Sequence, residues 1–310
     1  MDHSRSPTRR SNLLRALTNP YFLLALAALT WSGNHVVGRA IAGHVPPFAL
    51  STLRWAIPIP VLWVLARGHL ATDWPAIRRG WKTMLALGLG GGSLFSAMQY
   101  VGLQYTTALN VSVLNSLAPV MIVGAGAALF RERLSARQLA GIGLSLAGVL
   151  VIVSKADAGV LATLQFDLGD GIILFNMATW AVYSACLRLA PRIHWLSFAF
   201  VLAVVSALGT VPAMVWEHAS GYRLQATWAT ALSVLYVAIF PSVVGYAAWN
   251  RGVAMIGASR AGSFLYIVPL YSAVLASTFL GEQLMLFHIA GFAAIVAGVT
   301  LAARRANGRG

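Results

Sequence analysis

Apolar residues come in blocks of about twenty along nearly the whole chain, the length an α-helix needs to cross the hydrocarbon core of a bilayer. The blocks lie near 21–40, 48–66, 83–103, 107–128, 136–153, 170–189, 195–215, 228–248, 259–280 and 285–303. They predict an all-α polytopic membrane protein with ten transmembrane helices. Most links between blocks are short, and the longest fall near 67–82, 154–169 and 216–227. Residues 1–19 and 304–310 read as basic tails.

The pattern occurs twice. Displacing the chain by 150 residues sets Pro119 on Pro269, Glu132 on Glu282, Gly141 on Gly291 and Ala147-Gly148-Val149 on Ala297-Gly298-Val299. Nearer the N-terminus the displacement is 149, which sets Thr30-Trp31 on Thr179-Trp180 and Arg39 on Arg188. Residues 20–153 and 169–303 are therefore two copies of one unit, joined by a linker at 154–168. Such a repeat decides the architecture before any single residue does.

Composition narrows the class. The chain is 58% hydrophobic and only 10% charged, where a soluble domain carries about 25% charged residues. The net charge of +14 raises a nucleic-acid reading, but the basic residues are scattered over short links rather than gathered on one soluble surface. They set orientation instead. Eighteen of the 22 Lys and Arg fall on one side, against Arg39, Lys155 and Arg223 on the other. Both termini are thereby expected in the cytoplasm, with the 154–168 linker outside. No cleavable signal peptide is expected, and Cys186, the only cysteine, reads as a small buried hydrophobe. Five helices per copy is an odd number, so the halves are expected to be inverted about an axis in the membrane plane. Secondary transporters built that way hold their substrate near the midplane, between the repeats.

Interruptions in corresponding helices are the sequence sign of such a site. Gly88, Gly90, Gly91 and Gly92 lie mid-span in the third helix, and Pro241 lies at the matching depth in the eighth. Pro119 and Pro269 match in the fourth and ninth. Each removes a backbone bond to the carbonyl four residues earlier, at Asn115 and Leu265. Gly90, Gly91, Gly92, Pro119, Pro241 and Pro269 are the candidate hinge residues. Glycines also let helices pack closely in lipid, and a kink can be static, so both readings stand.

Polar and aromatic groups at mid-depth are the candidate lining. They include Trp31, Asn34 and His35 in the first helix, Ser96, Gln99 and Tyr100 in the third, and Asn176, Trp180 and Tyr183 in the sixth. Tyr246, Trp249, Tyr266 and Tyr271 follow in the eighth and ninth. Asn34, Gln99, Asn115, Trp180, Tyr183, Tyr246 and Tyr266 are the candidate substrate-binding residues, rings with polar tips suiting an amphipathic organic solute. None of the eight acidic residues is mid-span, which disfavours a carboxylate proton relay and favours a neutral or zwitterionic solute. Arg39 and Arg54 flank the outer ends of the first two helices; either could attract an anionic group, with snorkelling to the interface as the default reading. Glu132 and Glu282 lie in tight links, and Ser135 with Gln138 resembles a capping box. Gly141, Gly143, Gly148, Gly291 and Gly298 give the fifth and tenth helices small-residue faces. These suit close packing inside a monomer or across a homodimer. No phosphate loop, metal-ligand cluster or zinc-protease motif is present, so no catalytic residue, metal or cofactor is expected.

The doubled pattern, Pro119…Glu132…Gly141…Ala147-Gly148 and Pro269…Glu282…Gly291…Ala297-Gly298, resembles the EamA unit of the drug/metabolite transporter superfamily. So does the opening Leu29-Thr30-Trp31-Ser32-Gly33-Asn34. The resemblance covers about residues 20–303 and is nearest to the YddG-type bacterial amino-acid exporters. It implies a basket of ten helices in the bacterial inner membrane, around a central cavity. It also implies export of aromatic and other neutral amino acids, with related metabolites or toxic organic compounds. A carrier for a nucleoside, sugar-linked metabolite or drug remains the alternative within transport. A membrane scaffold or intramembrane enzyme is the alternative outside it.

Overall fold

The computed structural model describes residues 19–131, 134–157, 167–256 and 263–303. Among these, every regular element is helical. In chain order they are α1 (Pro20–Ala40), α2 (Pro47–Arg79), α3 (Trp81–Tyr105), α4 (Ala108–Phe130), α5 (Ala136–Val153), α6 (Leu168–Leu189) and α7 (Trp195–Ala219). Then come α8 (228–256), α9 (Phe264–Leu280) and α10 (Leu286–Ala303). Seven segments, α2 to α8, are long and apolar enough to cross a membrane. The first, at 21 residues, is long enough but carries Asn34 and His35 in its interior, which lower its apolarity. The start of the ninth block, 257–262, lies outside the described residues, and so do both tails, Glu132 and residues 158–166.

One expected link is not a link. The stretch 67–82 reads as a long link between apolar blocks, yet α2 continues as helix from Ile59 to Arg79 after a break at 57–58. Ala, Leu and Arg in that stretch are good helix formers, so the helix outlasts its apolar block. The capping box at Ser135 is present: Gln138 N donates to Ser135 Oγ at 3.3 Å, and Ser135 N donates to Gln138 Oε1 at 2.8 Å.

The two copies are visible in the packing. In α5 and α10, a Cβ on Gly148 would lie 2.6 Å from the Gly291 carbonyl oxygen, and one on Gly298 would lie 2.5 Å from the Gly141 carbonyl oxygen. The repeat exchanges these two contacts, since Gly148 corresponds to Gly298 and Gly291 to Gly141. Ser145 Oγ donates to Ile295 O at 3.3 Å, a contact between corresponding positions. The helices therefore cross antiparallel about a local two-fold axis. Other helices repeat the relation: Gly102 of α3 abuts Ile173 of α6, and Gly252 of α8 abuts Leu24 of α1. The small-residue faces of α5 and α10 thus meet each other within one chain. Gly148→Val, pressing on a backbone carbonyl, is expected to cost about 1–3 kcal/mol. Gly143→Val, with open space around it, is expected to be near neutral. Thermal unfolding in detergent checks both.

Two kinds of break interrupt the helices, each in a matched pair. In α3 the helix widens to a π-helix over Gly88–Leu94, and in α8 over Phe240–Gly245. In α4 it tightens to a 3₁₀ turn over Asn115–Leu117, before Pro119, and in α9 over Ser263–Tyr266, before Pro269. The π segments follow from one extra residue in the helical register. The 3₁₀ turns fall where proline denies the carbonyl four residues earlier its partner. In the α3 segment Gly91 takes the ring of Tyr183 against its backbone, Gly92 takes Ser206 and Gly88 takes Val205, while Gly90 has open space. Close packing therefore accounts for three of those four glycines.

Candidate functional site

A cavity lies where α1, α2, α3, α4, α6, α8 and α9 converge. The space open to the centres of water molecules is about 90 Å³. Three pairs of corresponding residues stand on its wall: Trp31 with Trp180, Asn115 with Leu265, and Ala118 with Val268. The relation between the two copies therefore passes through the cavity. Both 3₁₀ breaks contribute, through Asn115 and Leu265.

Aromatic rings border it on two sides. On one side Phe95 packs on Trp180 at 4.7 Å between ring centres, and Trp180 on Tyr183 at 5.2 Å. On the other Trp31 packs edge-on to Tyr246 at 6.0 Å and tilted against Trp249 at 5.3 Å. Trp31 Nε1 donates to the Pro241 carbonyl at 3.2 Å. The α1 ring is thereby tied to the π segment of α8.

The polar wall is a chain of side chains centred on Arg54. Arg54 is 2% exposed. Its Nε donates to Ser242 Oγ at 3.0 Å, and its Nη1 to Tyr100 Oη at 3.0 Å. Tyr100 donates in turn to Asn34 Oδ1 at 2.8 Å. The guanidinium also lies 5.5 Å from the Trp55 ring centre and 5.9 Å from that of Tyr100, close enough for cation–π attraction. Nearby, Asn115 Nδ2 and His35 Nε2 are 3.0 Å apart, and Asn176 Nδ2 donates to Gln99 Oε1 at 2.8 Å. Each pair leaves atoms without a partner among the described residues: His35 Nδ1, Asn115 Oδ1, Gln99 Nε2 and Asn176 Oδ1. Buried polar groups ordinarily find partners, so these four orphans, three of them on residues of the cavity wall, call for an explanation.

Of the seven candidate binding residues, five line the cavity: Asn34, Gln99, Asn115, Trp180 and Tyr246. Tyr183 lies behind Trp180 against Gly91, and Tyr266 packs against the main apolar core, which draws on α2 to α6, α8 and α10. Neither is on the cavity wall. Sequence reasoning placed Trp31 and His35 in the candidate lining but not among the binding residues, although both sit with Asn34 on one helical face at spacings of three and four. For Arg54 it gave snorkelling as the default and attraction of an anionic group as the alternative. The residue lies seven positions into α2, about 10 Å along the axis, too deep to snorkel. It was also the one cation that fitted neither side of the inside–outside count.

The model of the EamA-like transporter family matches residues 18–154 and again 167–304. The chain belongs to this family. An uncharacterized transporter of Archaeoglobus fulgidus is 30% identical to this EamA protein over 285 residues, 91% of this chain and 96% of the relative. A probable amino-acid metabolite efflux pump of Salmonella typhimurium is 26% identical over 291 residues, 90% and 92% of the two chains. A probable terminal-alkyne amino-acid exporter of Streptantibioticus cattleyicolor is 27% identical over 299 residues, 94% and 96%. A crystal structure 22% identical in sequence superposes with a TM-score of 0.61, over 91% of this chain and 96% of that one. At that identity it establishes the fold alone.

Glu217, Glu282 and Asp170 of this EamA chain stand near helix ends and do not line the cavity. Glu217 of α7 accepts the Phe48 and Ala49 amides at 3.0 and 2.8 Å, capping α2. Glu282, in the α9–α10 link, accepts the Ala108 and Leu109 amides at 3.0 Å each, capping α4 in the other copy. Asp170 is fully buried and accepts from Thr106 Oγ1 at 2.6 Å. Asn110, which contacts the same carboxylate, pairs with His288 at 2.9 Å. Arg39 donates to the Leu103 and Gln104 carbonyls at 2.8 and 3.1 Å, so it too is fixed to backbone.

Proposed function

We propose that this EamA-family transporter exports aromatic and other neutral amino acids across the bacterial inner membrane by alternating access. Ten membrane-crossing helices form two inverted halves, with both termini in the cytoplasm. The observation that carries the reading is the cavity between the halves, where paired aromatic walls face orphaned amide and imidazole atoms. Rings suit the side chain of an aromatic solute. Asn34, Gln99, Asn115 and His35 suit its amino and carboxylate groups. Tyr183 braces Trp180 from behind, and Tyr266 holds the wall of α9. The names of the Salmonella and Streptantibioticus relatives support an amino-acid solute. Gly90, Gly91 and Gly92, with Pro241 opposite, and Pro119 with Pro269, are the bending points. The absence of a carboxylate from the described cavity wall favours facilitated diffusion or exchange over a carboxylate proton relay.

Flux of labelled Phe, Trp, a small neutral amino acid and a cationic drug into vesicles holding the purified protein tests this, with and without a proton gradient. Saturable uptake of the amino acids without the gradient is expected. Trp180→Ala and Tyr246→Ala should each lower Phe and Trp flux about tenfold or more, the scale of one lost ring contact plus its buried area. Unchanged aromatic flux in both variants at normal expression would remove these residues from the site. Saturable flux of a nucleoside or drug, with no amino-acid flux, would replace the substrate.

A further inference from the structure

We infer that Arg54 is the residue that selects the solute, by requiring a carboxylate. The inference rests on reading the cavity as the transport site. Arginine carries five N–H donors in a planar fork and cannot lose its charge. Here two donors are taken, one each by Ser242 and Tyr100. The remaining three, one on Nη1 and both on Nη2, have no acceptor among the described residues. A carboxylate bound end-on takes one N–H from each of Nη1 and Nη2 in two parallel bonds, and both nitrogens keep a free donor. The residue lines the cavity, and no Asp or Glu among the described residues bonds or pairs with it. A buried cation without an anionic partner is costly, and at membrane depth such a group marks a solute pathway. The two rings and two hydroxyls around it hold the guanidinium in place but do not neutralise it. A solute carboxylate does both.

The same field acts against cations. An amine that lacks a carboxylate brings a second positive charge to Arg54 and gains nothing from the fork. Zwitterions and simple carboxylates gain from it. The ligand class is therefore an aromatic or apolar acid, with or without an amino group. Arg54 also bridges α2 and α3 of the first copy to Ser242 in the π segment of α8. Its occupancy is thereby felt by both halves.

The test uses the purified full chain and four probes: Phe, 3-phenylpropionate, phenylalaninamide and phenethylamine. Ligand-induced thermal stabilisation reads binding directly, and inhibition of labelled Phe uptake reads it in vesicles. Phe and 3-phenylpropionate are expected to bind, and the amide and amine to bind about ten- to a hundredfold more weakly, the scale of hydrogen bonds to a charged group. In Arg54→Gln this preference should collapse, and Arg54→Lys should restore part of it, because a point charge replaces the fork. If Arg54 only tethers helices, Arg54→Gln weakens all four probes equally and the proposal falls. Equal binding of the amide and Phe to the wild-type protein also overturns it, while leaving amino-acid transport standing. Binding of 3-phenylpropionate without Phe would do the reverse. It would uphold Arg54 as the carboxylate selector and remove the amino-acid reading. Binding of none of the four overturns both.

Discussion

Deleting Gly90 is expected to abolish transport, whereas Gly90→Ala, which keeps the helical register, is expected to cost far less. The two changes touch the same residue and differ only in helical register. Gly90 has open space where a side chain would go, and alanine favours helix over glycine by about 1 kcal/mol. Removing the residue takes away the extra position that makes Gly88–Leu94 a π segment. The helix then closes to ordinary register, and everything after it turns by about 100° relative to what precedes it. Ser96, Gln99 and Tyr100 leave their partners together. Tyr100 gives up its bonds to Arg54 and Asn34, and Trp55 gives up Ser96, to which it donates at 3.0 Å. Labelled Phe flux at matched protein level reads the outcome. Wild-type flux from the deletion variant would mean that the register of α3 does not position the site.

Glu282→Ala is expected to destabilise the fold by about 2–4 kcal/mol, two charge-assisted bonds lost and two amides left unpaired. The carboxylate sits in the second copy and accepts the first two amides of α4 in the first. Its negative charge also meets the positive end of the α4 dipole. Glu282→Gln keeps one acceptor oxygen without the charge and should lose roughly half as much. Glu217→Ala, which strips the matching cap from α2, should resemble Glu282→Ala. Thermal midpoints in detergent rank the variants. A midpoint unchanged in Glu282→Ala would show that the cap carries no weight and that the glutamate serves only its own link.

Much of this was legible because a repeat leaves duplicate signals. Pro119 and Pro269 are aligned, and each is preceded by a 3₁₀ turn in the structure. The glycine run and Pro241 are chemically unlike, yet both mark π segments at the same depth. Trp31 and Trp180, aligned by the displacement of 149, face one cavity. Partners across the halves were less legible. Nothing local to Glu282 says that it caps α4. Its place in a tight link points to a structural role in turning the chain and gives no sign of a contact spanning more than 170 positions. The carboxylates of Asp170 and Glu217 are buried although they stand near helix ends, because helix ends there are covered by neighbouring segments. Tyr183 and Tyr266 show the limit of depth alone. A residue at the right depth on the wrong helical face packs behind the wall. Arg54 shows the converse: helix length placed it too deep for the interface, and only its neighbours reveal where it goes.

The most direct test of the central cavity is thiol protection at its wall. Ala118 lines the cavity and is 5% exposed, and Cys186 is the only native thiol. In Ala118→Cys on a Cys186→Ser background, a small membrane-impermeant thiol reagent is applied from each side of the vesicle in turn. The account predicts labelling from both sides, as the cavity opens alternately, and marked slowing of both by saturating Phe. Labelling that no amino acid slows, or that occurs from one side alone under all conditions, would contradict a central, alternately exposed amino-acid site.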